Sequence, residues 1–246
     1  MKIAVAGGTG LLGRRVVEEA RRRDHEVLVL SRSEGFDLTV GGAATRALEG
    51  TDVVVDVLSV VTLKAATSIA FFEQTTRILL AVERDAGVPH HLALSIVGID
   101  KAPFDYYAGK LAQERLVEAS TNGWTILRAT QFHEFAAQMY ERARFGPLHL
   151  APRMRTQPVA AAEVATRLVD LCERTPQGRV RDLAGPREES LVDMIRDYAE
   201  ASGAHGWIPA VSLPGDLGRA QRGGLLLPDA DADLGRTTFA EWLTER

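Results

Sequence analysis

Tyr106 and Lys110 stand four residues apart in the stretch FDYYAGKLAQE, residues 104–114, and Lys110 is one of only 4 lysines in a chain holding 25 arginines. A lysine ammonium beside a phenol favours the phenolate and brings a group of reference pKa about 10 toward working pH. Such a tyrosine can give its proton to a carbonyl oxygen while hydride arrives from a nicotinamide cofactor, and the lysine can hold the cofactor's ribose. Tyr107, three residues from Lys110, is a second candidate for the same part. Ser95, at the end of the apolar run LALS, sits where a hydroxyl can bind the substrate oxygen. On a helix the Tyr106/Lys110 pair occupies one face, with Ala108, Leu111, Ala112, Leu116 and Ala119 as a stripe on roughly the opposite side. That stripe is expected to face the core, so packing does not require the pair. An ordinary solvated helix face carries the same spacing.

Chemistry of this kind needs a bound dinucleotide, and the stretch VAGGTGLLGRR offers one a place. Gly7 permits a tight turn, Gly10 a close backbone approach to a pyrophosphate, and Gly13 close packing of helix on strand. The expected contacts in this turn are Gly7, Thr9, Gly10, Leu11, Leu12 and Gly13, with the helix N-terminus facing the anion. The second strand ends in Ser31, Arg32 and Ser33, donors suited to a 2′-phosphate, and Glu34 comes too late to be the carboxylate that reads a free 2′-hydroxyl. NADP(H) is the expected cofactor.

The elements that must position these residues follow from periodicity. Lys2 to Ala6 reads as a buried strand, and Leu12, Val16, Val17 and Ala20 lie on one face of the helix after it. HEVLVLS, FDL, DVVVDVLS, HHLALS and WTILRAT read as further strands; ATRALEG, a long segment within 66–85, the Lys110 stretch and 132–144 read as helices. Short apolar strands alternating with helices predict a parallel sheet covered on both faces. Only four residues separate Ser31 from Phe36, too few for a helical crossover, so a loop is expected to open the second strand's end to a ligand. Further on, the pattern predicts a helix over 161–173, a strand in GRVRDLAG, a helix near 188–202, a turn-rich tail and a last helix capped at Thr237. The expected fold class is a Rossmann-type α/β, doubly wound parallel sheet. A single domain is expected over residues 1–246, with a small substrate-binding lobe from about 132–158 and 186–246.

Bulk properties narrow the partners. A net charge of −4 gives no reason to expect nucleic acid or an anionic membrane, and no apolar run approaches 18 residues. The chain is therefore expected to be cytoplasmic, to act on a small-molecule substrate and to be a monomer or homodimer. The single Cys172 reads as a small hydrophobe, His90 and His91 as structural, and Trp124, Trp207 and Trp242 as packing residues. Phe132 and His133 follow the sixth expected strand and are candidate substrate contacts. No set of His, Cys, Asp and Glu has metal-ligand spacing.

The stretches AGGTGLLGRR, DVVVDVLS, LALSIVG, YYAGKLAQE and ILRATQF, with the arginine after the second strand, occur in an order that resembles the short-chain dehydrogenase/reductase superfamily. The likeness is to its atypical NmrA-like branch, which includes quinone-reductase-like and dye-reductase-like members. It implies the pyrophosphate at Gly7, Gly10 and Gly13, the 2′-phosphate at Arg32, adenine near Asp37 and Leu38, nicotinamide-side contacts at Leu58 and Ser59, and a Ser95, Tyr106, Lys110 triad. The function so implied is an NADPH-dependent oxidoreductase delivering hydride to a carbonyl or quinone-like molecule. Some members of this branch lack the tyrosine and act as redox sensors, so a non-catalytic NADP(H)-binding sensor is the alternative.

Overall fold

The computed structural model describes residues 1–36, 44–145, 148–204 and 206–245. In chain order the elements are β1 (Lys2–Ala6), α1 (Leu11–Arg22), β2 (Glu26–Leu30), a 3₁₀ turn (Arg32–Glu34), α2 (Ala44–Ala47), β3 (Val53–Asp56), α3 (Ala65–Ala86), β4 (His90–Ile96), α4 (Tyr106–Glu118) and β5 (Trp124–Ala129). They continue with α5 (Glu134–Arg142), β6 (Arg144–Phe145), β7 (Leu148–His149), β8 (Ala151–Pro152), β9 (Arg155–Thr156), α6 (Ala161–Cys172), β10 (Gly178–Arg179) and β11 (Leu183–Ala184). Last come β12 (Glu189–Ser190), α7 (Leu191–Ala201), β13 (Ala210–Val211), α8 (Gly215–Gly223), β14 (Asp233–Leu234) and α9 (Phe239–Thr244).

The chain divides into two units, the first formed by Met1–Ile96, Asp105–Arg128 and Ala162–Val180, the second by Val97–Phe104, Ala129–Ala161 and Arg181–Arg246. In the first, the strand order is β5-β4-β3-β1-β2, with β10 beside β5. The β1–β2, β1–β3, β3–β4 and β10–β5 pairings are all parallel. Because β1 has β2 on one side and β3 on the other, the chain reverses its winding direction there, at the switch point where open α/β sheets bind ligands. All four residues of β3 are buried, as befits a strand covered on both faces. Helix α1 buries Leu12, Val16, Val17 and Ala20, the stripe that the 3.6-residue period predicts.

In the second unit Leu183 of β11 pairs with Ala129, and β11 pairs in parallel with β14. Short pairs are formed by β9–β12, β8–β13 and β6–β7; α7 packs against β8 and β12 and buries Leu191, Val192, Met194, Ile195, Tyr198 and Ala199. These elements make this a Rossmann-type α/β protein. Among the described residues no helix is long and apolar enough to cross a membrane.

Several expectations need correcting. GRVRDLAG is not one strand; it is split into β10 and β11. The last helix is capped by Thr238 rather than Thr237: the Thr238 hydroxyl accepts from the Glu241 N–H, and the Glu241 carboxylate accepts from the Thr238 N–H. Helix α8 lies in the tail expected to be turns, because its glycines hide the helical period, although Gly218 is needed where a Cβ would lie 2.0 Å from the Leu213 carbonyl oxygen. Trp207 is 75% exposed and packs little, whereas Trp124 covers Ala93, Val117 and Ile126, and Trp242 stacks on Phe239. Cys172 is buried, and burial pushes its thiol up to about 12, which leaves it protonated and inert. The expected strand at FDL falls largely outside the described residues.

Candidate active site

The glycine turn joins β1 to α1 through left-handed backbone at Gly7, φ +84°. Gly10 is the N-cap of α1 and adds no side-chain bond, and no acidic residue occupies the first turn, so the helix's leading N–H groups and positive dipole end face outward. A Cβ on Gly13 would lie 2.1 Å from the Gly7 carbonyl oxygen and 2.7 Å from the Gly8 Cα, so only glycine lets the helix sit this close to the turn. A Cβ on Gly7 would meet the Val57 carbonyl oxygen at 3.0 Å and the Leu58 nitrogen at 3.2 Å, which places the end of β3 directly against the turn. Thr9 and Gly10 are exposed, Leu11 is half-buried and Leu12 is buried. The turn thus fits a pyrophosphate through its backbone.

At the end of β2 the chain enters the 3₁₀ turn, with Ser31 extended as its cap and Gly35 left-handed at its close. The Ser31 and Ser33 hydroxyls are 2.9 Å apart. Arg32 is exposed and makes no ion pair among the described residues, so its guanidinium is available to an anion. Asp37 and Leu38, assigned to adenine by resemblance, lie outside the described residues.

Tyr106 opens α4. Asp105, the residue before it, has φ 50° and ψ −119°, a conformation that costs a non-glycine residue energy and fixes where the helix begins. Gly109 lets α4 approach α3 closely, since a Cβ there would lie 2.2 Å from the Ser68 hydroxyl, and that hydroxyl donates to the Tyr106 carbonyl at 2.8 Å. The Tyr106 phenol lies 3.3 Å from the Ser59 hydroxyl, and its ring meets Phe72 edge-on at 5.7 Å. Burial raises the phenol above its ordinary pKa, opposed by the bond to Ser59. The direction is opposite to that expected from a neighbouring ammonium.

Lys110 explains the difference, because its amine is turned into the protein. It donates to the Leu94 carbonyl at 2.6 Å and to the Gln113 side-chain oxygen, and it stands 4.8 Å from the Phe72 ring centroid. Burial pulls its pKa down to about 8 against the pull of Asp56 and Glu114. Gln113 in turn donates to Asp56 at 2.8 Å, and the other Asp56 oxygen accepts the Leu58 N–H at 3.0 Å. One polar chain therefore runs from the lysine to the loop against the glycine turn. Gln113 and Asp56 went unnoticed in the sequence because neither has motif spacing to Lys110.

The helix also faces the other way from the expected one. Its buried residues are Tyr107, Gly109, Lys110, Gln113, Glu114 and Val117, whereas Ala108, Leu111, Ala112 and Leu116 are half-buried and Ala119 is exposed. Polar side chains are tolerated inside because each has partners: Glu114 takes two bonds from Arg128 at 2.8 and 2.7 Å and a third from Arg179 at 2.9 Å. Ser95 is on this inner side. Its buried hydroxyl helps hold the Glu114 carboxylate ionised without reaching a full hydrogen bond, and it makes none to Tyr106. Among the described residues no hydrogen bond joins the Ser95, Tyr106 and Lys110 side chains to one another, and the hydroxyl beside Tyr106 is that of Ser59.

Tyr107 is buried, with its ring 6.1 Å from that of Tyr106, so it is not the exposed phenol of the pair. Phe132, half-buried in the second unit, bridges to Val159. His133 is fully buried; its Nε2 donates to the Thr237 carbonyl at 3.0 Å and its ring packs against Phe239 and Trp242, which makes it an anchor for α9 and removes it from the substrate candidates.

Comparison with solved structures finds the same fold. No curated protein matches. Of the solved structures, the NADPH-dependent quinone oxidoreductase QOR2 of Escherichia coli complexed with NADPH is 20% identical, with a TM-score of 0.73 over 99% of each chain. MoeE5 in complex with UDP-glucose and NAD is 17% identical, with a TM-score of 0.75 over 99% of this chain and 96% of that one. The UDP-glucose 4-epimerase of Thermus thermophilus in complex with NAD is 17% identical, with a TM-score of 0.68 over 100% and 93%. At these identities the likeness is one of fold. The family model described as NAD(P)H-binding matches residues 7–175, from the first glycine of the turn through α6, and the chain belongs to that family.

Proposed function

We propose that the protein is an NADPH-dependent oxidoreductase that reduces a carbonyl or quinone-like small molecule, with Tyr106 as proton donor. The observation that carries this reading is the half-buried Tyr106 phenol, held by Ser59 beyond the end of β3 and next to the loop that abuts the glycine turn. Bound NADPH supplies hydride to the substrate carbon. Tyr106 keeps its proton at neutral pH, because burial raises its pKa, and releases it to the substrate oxygen as that oxygen gains charge. Lys110, fixed by Leu94 and Gln113, acts through the helix: with Gln113 and Asp56 it ties α4 to the loop after β3 and so positions the phenol. Water exclusion by Phe72 and Tyr107 strengthens these interactions.

An NADP(H)-binding sensor is the second reading, favoured by one observation: the Lys110 amine is already engaged by Leu94 and Gln113. Oxidation of NADPH over a panel of quinones and aldehydes separates the two. The oxidoreductase consumes NADPH only with an acceptor present, more slowly when the transferred C4 hydrogen is deuterium. Protein saturated with NADPH that oxidises it with no member of the panel is a sensor.

Choice of dinucleotide rests on Arg32, whose exposed guanidinium at the end of β2 suits a 2′-phosphate. Arg32→Ala is expected to weaken NADPH binding roughly 10- to 100-fold, the loss of one charge-assisted contact, with little change for NADH. Fluorescence titration of the two cofactors measures it; equal losses exclude the assignment.

A further inference from the structure

The second unit contains a cleft of about 440 Å³ whose nine lining residues include four arginines, in a chain with 25 arginines among 246 residues. General arginine content does not produce that concentration. The four come from three parts of the chain: Arg153 and Arg155 from the segment through β9, Arg196 from α7 and Arg222 from α8. Arg153 and Arg155 are two residues apart in a segment bonded to Val211 on one side and Leu191 on the other, so an extended backbone projects both onto one face. Backbone carbonyls aim two others, since Arg196 donates to Ile208 at 3.1 Å and Arg222 to Leu213 at 2.7 Å. Those bonds position the guanidinium groups without cancelling their charge.

Few carboxylates answer them. Arg155 is paired with Glu188 through two bonds of 2.6 and 2.9 Å, and Asp193 stands 3.8 Å from Arg196. Arg153 has no ion pair among the described residues. Four guanidinium groups against two carboxylates leave two positive charges. Ser190, the N-cap of α7, also lines the cleft and makes no side-chain cap bond. Met154, Val192 and Ala210 provide an apolar side to the same space.

We propose that this cleft binds the phosphate end of a phosphorylated small molecule. Guanidinium forks match the oxygens of a phosphate in pairs, two excess charges match a phosphomonoester or diphosphate dianion, and the volume admits the body of a small metabolite beside the apolar wall. The site stands on residues of the second unit alone and is independent of the oxidoreductase reading. Its ligand is a second molecule beside the dinucleotide.

Calorimetric titration of pyrophosphate into the full chain saturated with NADPH tests it, with the glycine turn already filled. Saturable binding is expected, competed by inorganic phosphate and not by benzoate, and weakened roughly 10-fold per arginine in an Arg153→Ala/Arg155→Ala variant. Both side chains are exposed, so the variant should keep its melting temperature and its affinity for NADPH. Wild-type pyrophosphate affinity in that variant, or no saturable binding in the wild type, overturns the proposal. A parallel loss of NADPH affinity in the variant also overturns it, by assigning the cleft to the cofactor.

Discussion

Tyr106→Phe is expected to lower kcat for any accepted carbonyl roughly 10²- to 10⁴-fold, the usual contribution of a positioned proton donor. NADPH affinity should not change. Phenylalanine keeps the edge contacts with Phe72 and Tyr107 and loses only the hydroxyl and its 3.3 Å neighbour on Ser59, so the helix start is preserved. The pH profile adds a readout that a packing role would not move. With the phenol raised above 10.0 and Lys110 at about 8, the first group to lose its proton on alkalinisation is the lysine. Wild-type activity should therefore fall through about pH 8 while Tyr106 still holds its proton. Stopped-flow turnover of the wild type and variant from pH 6 to 10 measures both effects; unchanged turnover in Tyr106→Phe would remove the tyrosine from the mechanism.

The second large effect is on stability. Glu114→Ala removes the carboxylate that takes two bonds from the buried Arg128 guanidinium, 7% exposed, and leaves Arg179 as a second cation beside it. Breaking one side of a buried pair costs about 3–5 kcal/mol. Replacing both members, as in Glu114→Met/Arg128→Met, should recover most of that loss, because no isolated charge then remains inside. Urea denaturation of the single and double variants checks the difference; equal destabilisation would mean that packing volume, and not charge, is at stake. Acid acts on the same pair. Burial raises the Glu114 carboxyl, but Arg128, Ser95 and Arg179 outweigh it and hold its pKa below 4.5. Its folded pKa lies below its unfolded one, so the stabilisation is present above the unfolded pKa and is lost as pH falls through the folded value.

The turn, the sheet and most helices were legible because their signals are local. Gly7, Gly10 and Gly13 mark a backbone shape, α1 carries its own apolar stripe, and β3 reads as a run of valines before Asp56. What escaped were matters of partnership between distant segments. The sequence of α4 suggests an apolar face turned inward and Tyr106 with Lys110 turned out. In the protein Lys110, Gln113 and Glu114 turn inward instead, because Asp56 of β3, the Leu94 carbonyl of β4 and Arg128 of β5 supply partners that no window around Lys110 contains. Ser95 lies on the expected strand, but its contact with the Glu114 carboxylate depends on which face of α4 packs there, and that is not written in the strand.

The inward polar face of α4 also bears on how this helix can vary over mutation. An apolar stripe tolerates small rotations of a helix about its axis, since one aliphatic contact substitutes for another at little cost. A ladder of Lys110, Gln113 and Glu114, each bonded to a different strand, does not: turning the helix by one residue would leave several buried groups unpaired at once. The rotational setting of the helix is thus keyed, and the direction of Tyr106 with it. Residues with no chemistry of their own to perform, Arg128 and Asp56 among them, are thereby as constrained as the tyrosine they aim.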